Sequence, residues 1–195
     1  MSLSERVEFE QVLLSNIELS SEIHDRFLLD YGQDTVGIMN SIKEIGLINP
    51  VILIKENQSA DGTYRIVCGY RRIMACRKLG WESIKAQVVD VYNEEEILLF
   101  SLHDNLFSRG FNVIEKAITL KKFLEIGYSN EKLITKIVPF LGLPPKKEII
   151  KNYISILEFN DEIKHSIIIG ELELEKAFLL LIIGIYVLIR IIENN

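Results

Sequence analysis

Two cysteines, one tryptophan, three histidines and four prolines are the whole stock of those residues in this 195-residue chain. Each shortage excludes something. Cys68 and Cys76 lie eight positions apart, which matches no metal-ligand spacing, and one pair is no disulfide framework. A reducing cytoplasm is the expected setting. The first fifteen residues carry glutamates where a secretory leader has a basic start and an apolar run, so no leader is read there. No low-complexity linker or internal repeat interrupts the chain. Positive charge is also short overall, with a net charge of −6, which excludes a uniformly nucleic-acid-coated surface.

The charge is uneven. Residues 1–60 hold four basic groups against ten acidic ones, whereas residues 121–151 hold seven lysines against Glu125, Glu131 and Glu148. A local basic patch on an acidic protein remains compatible with DNA binding. At 48% hydrophobic and 26% charged residues, the composition is that of a globular protein with a real core.

Up to Asp90 the pattern is mixed α/β. Val12, Leu13, Leu14, Ile17 and Leu19 suggest a short strand and its connection. Thr35–Ile45 reads as a helix with Ile38, Met39, Ile42 and Ile45 on one face, ended by Gly46. Val51–Ile54 and Thr63–Cys68 read as strands, Arg71–Leu79 as a helix and Ile84–Val89 as a further strand. From Asn93 the pattern is helical. Three glutamates favour a helix start at Glu94, with Ile97, Leu98 and Leu102 inward. Asn112 and Glu115 have capping-box spacing and open a helix with Val113, Ala117, Leu120 and Leu124 on one face. Ser129 caps Asn130–Val138. After Pro139 and Pro144-Pro145, Lys146–Leu157 resumes with Ile149, Ile150, Tyr153 and Ile156 inward. Two short helices, a break and a helix with a basic start follow the order of a helix-turn-helix. Residues 1–92, 93–176 and 177–195 are the expected divisions. The last opens with thirteen uncharged residues, Ala177–Ile189, short of the roughly 20 that cross a bilayer. We read it as a buried or partner-binding helix and expect no membrane association.

The stretch richest in chemistry is Cys68-Gly69-Tyr70-Arg71-Arg72. Glycine lets a backbone bend and a ligand approach closely, a helix start attracts anions, and arginine forks match phosphate oxygens. A phosphate site is one reading; a strand–turn–helix connection with two solvated arginines is the other. Three runs taken together, Ser41–Leu53, Gly69–Gly80 and Asp104–Glu115, resemble the ParB family of partition proteins in order and spacing. That resemblance spans residues 10–175. It implies an α+β architecture, with a small mixed α/β ParB/sulfiredoxin-like domain followed by an all-α helix-turn-helix domain. It further implies CTP and Mg²⁺ as ligands of the first domain and DNA as the partner of the second. A homodimer and a ParA-type ATPase partner are implied as well.

Position by position, Gly69, Arg71 and Arg72 match the family's phosphate-binding motif. Asp104 and Asn105 match residues that meet the triphosphate and its metal. Ile48, Asn49 and Pro50 match the pocket loop, and Arg26 matches an arginine of an earlier segment. Tyr70 stands where the family has glutamate, and a phenol replaces neither a metal ligand nor a water-orienting carboxylate. Arg109 is displaced by one place, which turns a helical side chain by about 100°. Binding of nucleotide is therefore expected more than its hydrolysis, with weak CTPase activity left open. Lys146, Lys147 and Lys151 are the expected DNA-backbone contacts, and Asn152 or Ser155 the base readers. Two alternatives stand beside this reading. A hydrolase or nuclease centred on Asp104 would need several convergent carboxylates, and the sequence offers one. A protein-interaction module would leave the nucleotide site vestigial.

Overall fold

The computed structural model describes residues 7–19, 35–55, 62–89, 93–108, 110–180 and 183. The chain divides into two compact units, Met1–Ser108 and Arg109–Asn195.

The first unit is built on a four-stranded sheet in the order β1-β4-β2-β3. β1 (Val7–Leu13) pairs antiparallel with β4 (Ser83–Val89), placing Val12 opposite Ile84. β4 runs parallel to β2 (Val51–Lys55), with Val51 opposite Ala86. β2 pairs antiparallel with β3 (Tyr64–Cys68), and the register shifts between Ile52 and Leu53. Strand alternation turns Ile84, Ala86 and Val88 into the core and leaves Ser83, Lys85 and Gln87 less buried; successive side chains of a strand face opposite sides.

Helix α1 (Val36–Ile45) buries Ile42 and packs Ile38 and Met39 on the core. Ile45, expected on that face, is exposed. α2 (Tyr70–Lys78) buries Ile73, Ala75 and Cys76. α3 (Glu94–Ser108) carries a buried stripe at Ile97, Leu98, Ser101, Leu102 and Asn105, the spacing of one helical face. Ile97 belongs to the same core cluster as the sheet. The division between units therefore falls after Ser108, not at residue 92. The three glutamates that open α3 mark a helix start and not a domain start.

The second unit is helical among the described residues. Asn112 caps α4 (Val113–Glu125): its side chain accepts from the Glu115 amide at 2.9 Å, and the Glu115 carboxylate accepts from the Asn112 amide at 2.9 Å. The buried face of α4 holds Ile114, Ala117, Leu120 and Phe123. It is rotated from the expected one, since Val113 and Leu124 are only half-buried. α5 (Asn130–Lys136) is capped by Ser129, and α6 (Lys147–Ser155) follows after ten intervening residues. A 3-10 turn, Ile156–Glu158, leads to α7 (Asp161–Ile168), capped by Asn160. Residues 174–180 are helical; Ala177 is buried and the Phe178 ring lies 6.4 Å from that of Tyr153. Of the expected tail division, residues 181–182 and 184–195 lie outside the described residues. No helix among the described residues is long and apolar enough to cross a membrane.

Candidate functional site

β3 delivers the chain to Gly69 in the left-handed region, at φ +95°. A Cβ there would sit 2.8 Å from Val51 Cγ1 and 3.2 Å from Arg72 Cζ. Glycine is thus required twice, by backbone conformation and by space. The turn sets α2 running directly from β3, so Arg71 and Arg72 fall in its first turn, where the helix carries partial positive charge.

Arg72 reaches across to the segment that leads into β2 and to α3. Its Nη1 donates to the Asn49 carbonyl at 2.9 Å and the Pro50 carbonyl at 2.7 Å, and its Nη2 donates to Asp104 Oδ2 at 3.3 Å. Both partners of this ion pair are partly buried, at 20% and 29% exposure. The planar fork of arginine makes these simultaneous bonds feasible where a lysine ammonium would not span them. Cys68, just before the turn, is buried. Burial first, then the Asp104 charge and a hydrogen bond to it, push its thiol well up, while Arg72 pulls the other way. That protonated thiol is a poor nucleophile.

The residues expected at this site thus separate. Gly69, Arg72, Asp104 and the backbone of Asn49 come together. Arg71 sits half-buried in the first turn of α2. The Ile48 side chain is exposed. Asn105 does not join them: it lies on the buried stripe of α3, and its Nδ2 donates to the Ser101 carbonyl at 2.7 Å. Arg26 and Arg109 lie outside the described residues. Tyr70 is half-buried against the core. Among the described residues no cluster of three or more His, Cys, Asp or Glu could hold a metal ion.

Two supports carried no sequence signal of their own. The Pro50 carbonyl acts through the backbone, which side-chain pattern does not reveal. Arg77 donates to the carbonyls of Leu14 and Ile17, holding the connection after β1; its helical spacing alone reads as solvent-facing.

In the second unit, Lys146, Lys147 and Lys151 are exposed. Lys147 Nζ lies 2.5 Å from Glu131 Oε1 across the α5–α6 connection. That hydrogen bond, with those from its own helix and from Ser129, holds the Glu131 carboxyl down to about 2. Asn152 is half-buried. The Ser155 hydroxyl donates back to the Asn152 carbonyl at 2.8 Å, so it is turned toward its own helix rather than outward.

A family model described as ParB N-terminal domain matches residues 4–106, more than half of the chain. This chain belongs to the ParB family. Among curated relatives, a nucleoid occlusion protein of Bacillus cereus is 28% identical over 128 residues, which cover 66% of this chain and 41% of the relative. The chain therefore spans about two fifths of the length of the relatives it matches. Two solved ParB structures share the fold. The pNOB8-like ParB N-domain matches with a TM-score of 0.57 at 14% identity, covering 88% of this chain and 73% of the other. The C-terminally truncated chromosome-partitioning protein ParB from Caulobacter crescentus, complexed to the centromeric parS site, matches at 0.51 and 17% identity, covering 87% and 82%. The α+β class expected from the ParB resemblance is the class observed.

Proposed function

We propose that this ParB family member is a partition- or nucleoid-occlusion-type DNA-binding protein whose first unit binds a nucleotide triphosphate, CTP by family resemblance, at the Gly69 turn. The observation that carries the nucleotide part is the turn itself. Only glycine fits against Val51 and the Arg72 guanidinium, and the turn it makes opens a helix whose first turn carries Arg71 and Arg72. That is the donor set a phosphate takes.

Mg²⁺ fits less completely. It prefers one or two protein oxygens together with phosphate oxygens, and Asp104 supplies a carboxylate at the rim. The Asn105 amide is engaged with Ser101 and would have to leave the helix interior to serve. When bound, the metal would neutralise phosphate charge; the chain's own part is to orient the phosphates through Gly69, Arg71 and Arg72. Tyr70 offers no carboxylate to direct a water, so binding is favoured over hydrolysis.

The DNA part rests on family membership, on the helix order of the second unit and on its exposed lysines. If Lys146, Lys147 and Lys151 contact phosphates, the logarithmic salt slope is about −2.7; an affinity indifferent to salt overturns it. The nucleotide part is tested by calorimetric titration of CTP, ATP and GTP with Mg²⁺ on wild type and Arg71→Ala. That variant leaves the Arg72 bonds in place. CTP-selective binding lost in the variant supports the reading. No binding of any nucleotide favours the second reading, an interaction module. One feature speaks for that second reading: three protein oxygens already occupy the Arg72 fork, which makes it a structural clamp.

A further inference from the structure

The connection between α5 and α6 is ten residues long, 137–146, whereas a helix-turn-helix joins its helices in three or four. The extra length is folded tightly. Ile137, Val138, Leu141 and Leu143 are all buried. The backbone is locked by bonds from Val138 to Leu133, Gly142 to Pro139, Leu143 to Val138 and Lys146 to Pro144. Every apolar side chain of the connection turns inward except at its prolines and at Phe140, which is 47% exposed at the outer end. The stretch it belongs to is rich in lysine: residues 131–151 hold five lysines against Glu131, which pairs with Lys147, and Glu148.

An exposed aromatic ring on a well-buried turn, within a lysine-rich stretch of chain, fits a polyanion with apolar edges. We propose that the Pro139–Phe140 tip of this extended connection is a second DNA-contacting element, in which Phe140 packs on base or deoxyribose edges of duplex DNA. The exposed lysines 146, 147 and 151 of the same stretch attract the phosphate backbone, and Phe140 adds a contact that carries no charge. Side chains of this type contact thymine methyls and wedge at base steps. A protein partner would instead need acidic character to match the same lysines. The inference rests on the DNA-binding reading.

The test measures binding of a fluorescein-labelled, mixed-sequence duplex to the full chain across a salt series, for wild type, Phe140→Ala, Phe140→Leu and Lys147→Ala. The expected result is an affinity loss of about tenfold in Phe140→Ala with an unchanged logarithmic salt slope. Phe140→Leu recovers most of that loss, and Lys147→Ala lowers the slope. Phe140→Ala binding like wild type overturns the inference and leaves the DNA reading standing, as does a loss shared equally by Phe140→Leu. A changed slope in Phe140→Ala also overturns it, since the effect would then run through the lysines. No binding by wild type overturns the DNA reading and the inference together.

Discussion

Arg72 and Asp104, 32 positions apart in sequence, meet at 3.3 Å between Nη2 and Oδ2, joining the first turn of α2 to the far end of α3. The same guanidinium holds the carbonyls of Asn49 and Pro50. Arg72→Lys keeps the charge but cannot reach all three oxygens. We expect a loss of about 2 kcal/mol in urea denaturation, larger than the loss in Arg71→Lys. Equal losses in the two variants would remove the clamp.

Gly69→Ala forces a methyl 2.8 Å from Val51 Cγ1 at a φ of +95°. Strain and overlap together are expected to cost about 2–4 kcal/mol. Adding Val51→Ala removes the overlap but not the strain, so the double variant should lose less than the sum of the singles. Strict additivity in chemical denaturation would show that the overlap is relieved some other way.

The Tyr64 hydroxyl donates to Glu10 Oε2 at 2.6 Å. That bond, then burial, then the Glu10 charge push its phenol up from 10.0 to about 12. The folded pKa lies above the unfolded one. The associated stability is therefore fully present below pH 10 and is lost as pH rises from 10 through about 12. The stability gap between wild type and Tyr64→Phe should shrink across that window. A gap that stays constant to the top of it refutes the assignment.

Glu131 titrates at about 2, held down first by Lys147. In Lys147→Ala its carboxyl resonance should move part of the way back to the ordinary range, because its helix and Ser129 bonds remain. No movement would show that the helix start alone sets it. The same pair bears on DNA: Glu131→Gln frees Lys147 from its partner. Duplex binding should then tighten a few-fold, because one negative charge beside the phosphate-contacting lysines is gone.

What the sequence revealed were features that rest on local rules. The Asn112–Glu115 box, the Ser129 cap and the strand–glycine–helix at Cys68–Gly69–Tyr70 each need only a few neighbouring residues, and each stands where expected. What it hid depends on distant partners. Glu8 and Glu10 disguise β1, whose register is set by β4. α3 opens like a new domain, yet Ile97 is buried with the sheet. Asn105 and Asp104 look alike in a motif; one helical step places the first on the buried stripe and the second at the rim. The buried face of α4 is rotated from the expected one, because Ile114 and Phe123, not Val113 and Leu124, meet the core.

β1 and β4 pair Val7 with Val89, so among the described residues the first strand of the unit finds its neighbour in the last. A ribosome making this chain releases β1 long before β4 exists. The hairpin of β2 and β3 can form meanwhile, but the sheet is completed only when the chain reaches its fourth strand. Closing so long a loop is slow compared with forming a hairpin. The sheet is thus completed when its N-terminal strand docks on the edge that β4 supplies. Deleting β1 would leave that edge of β4 bare, a template for pairing with another chain.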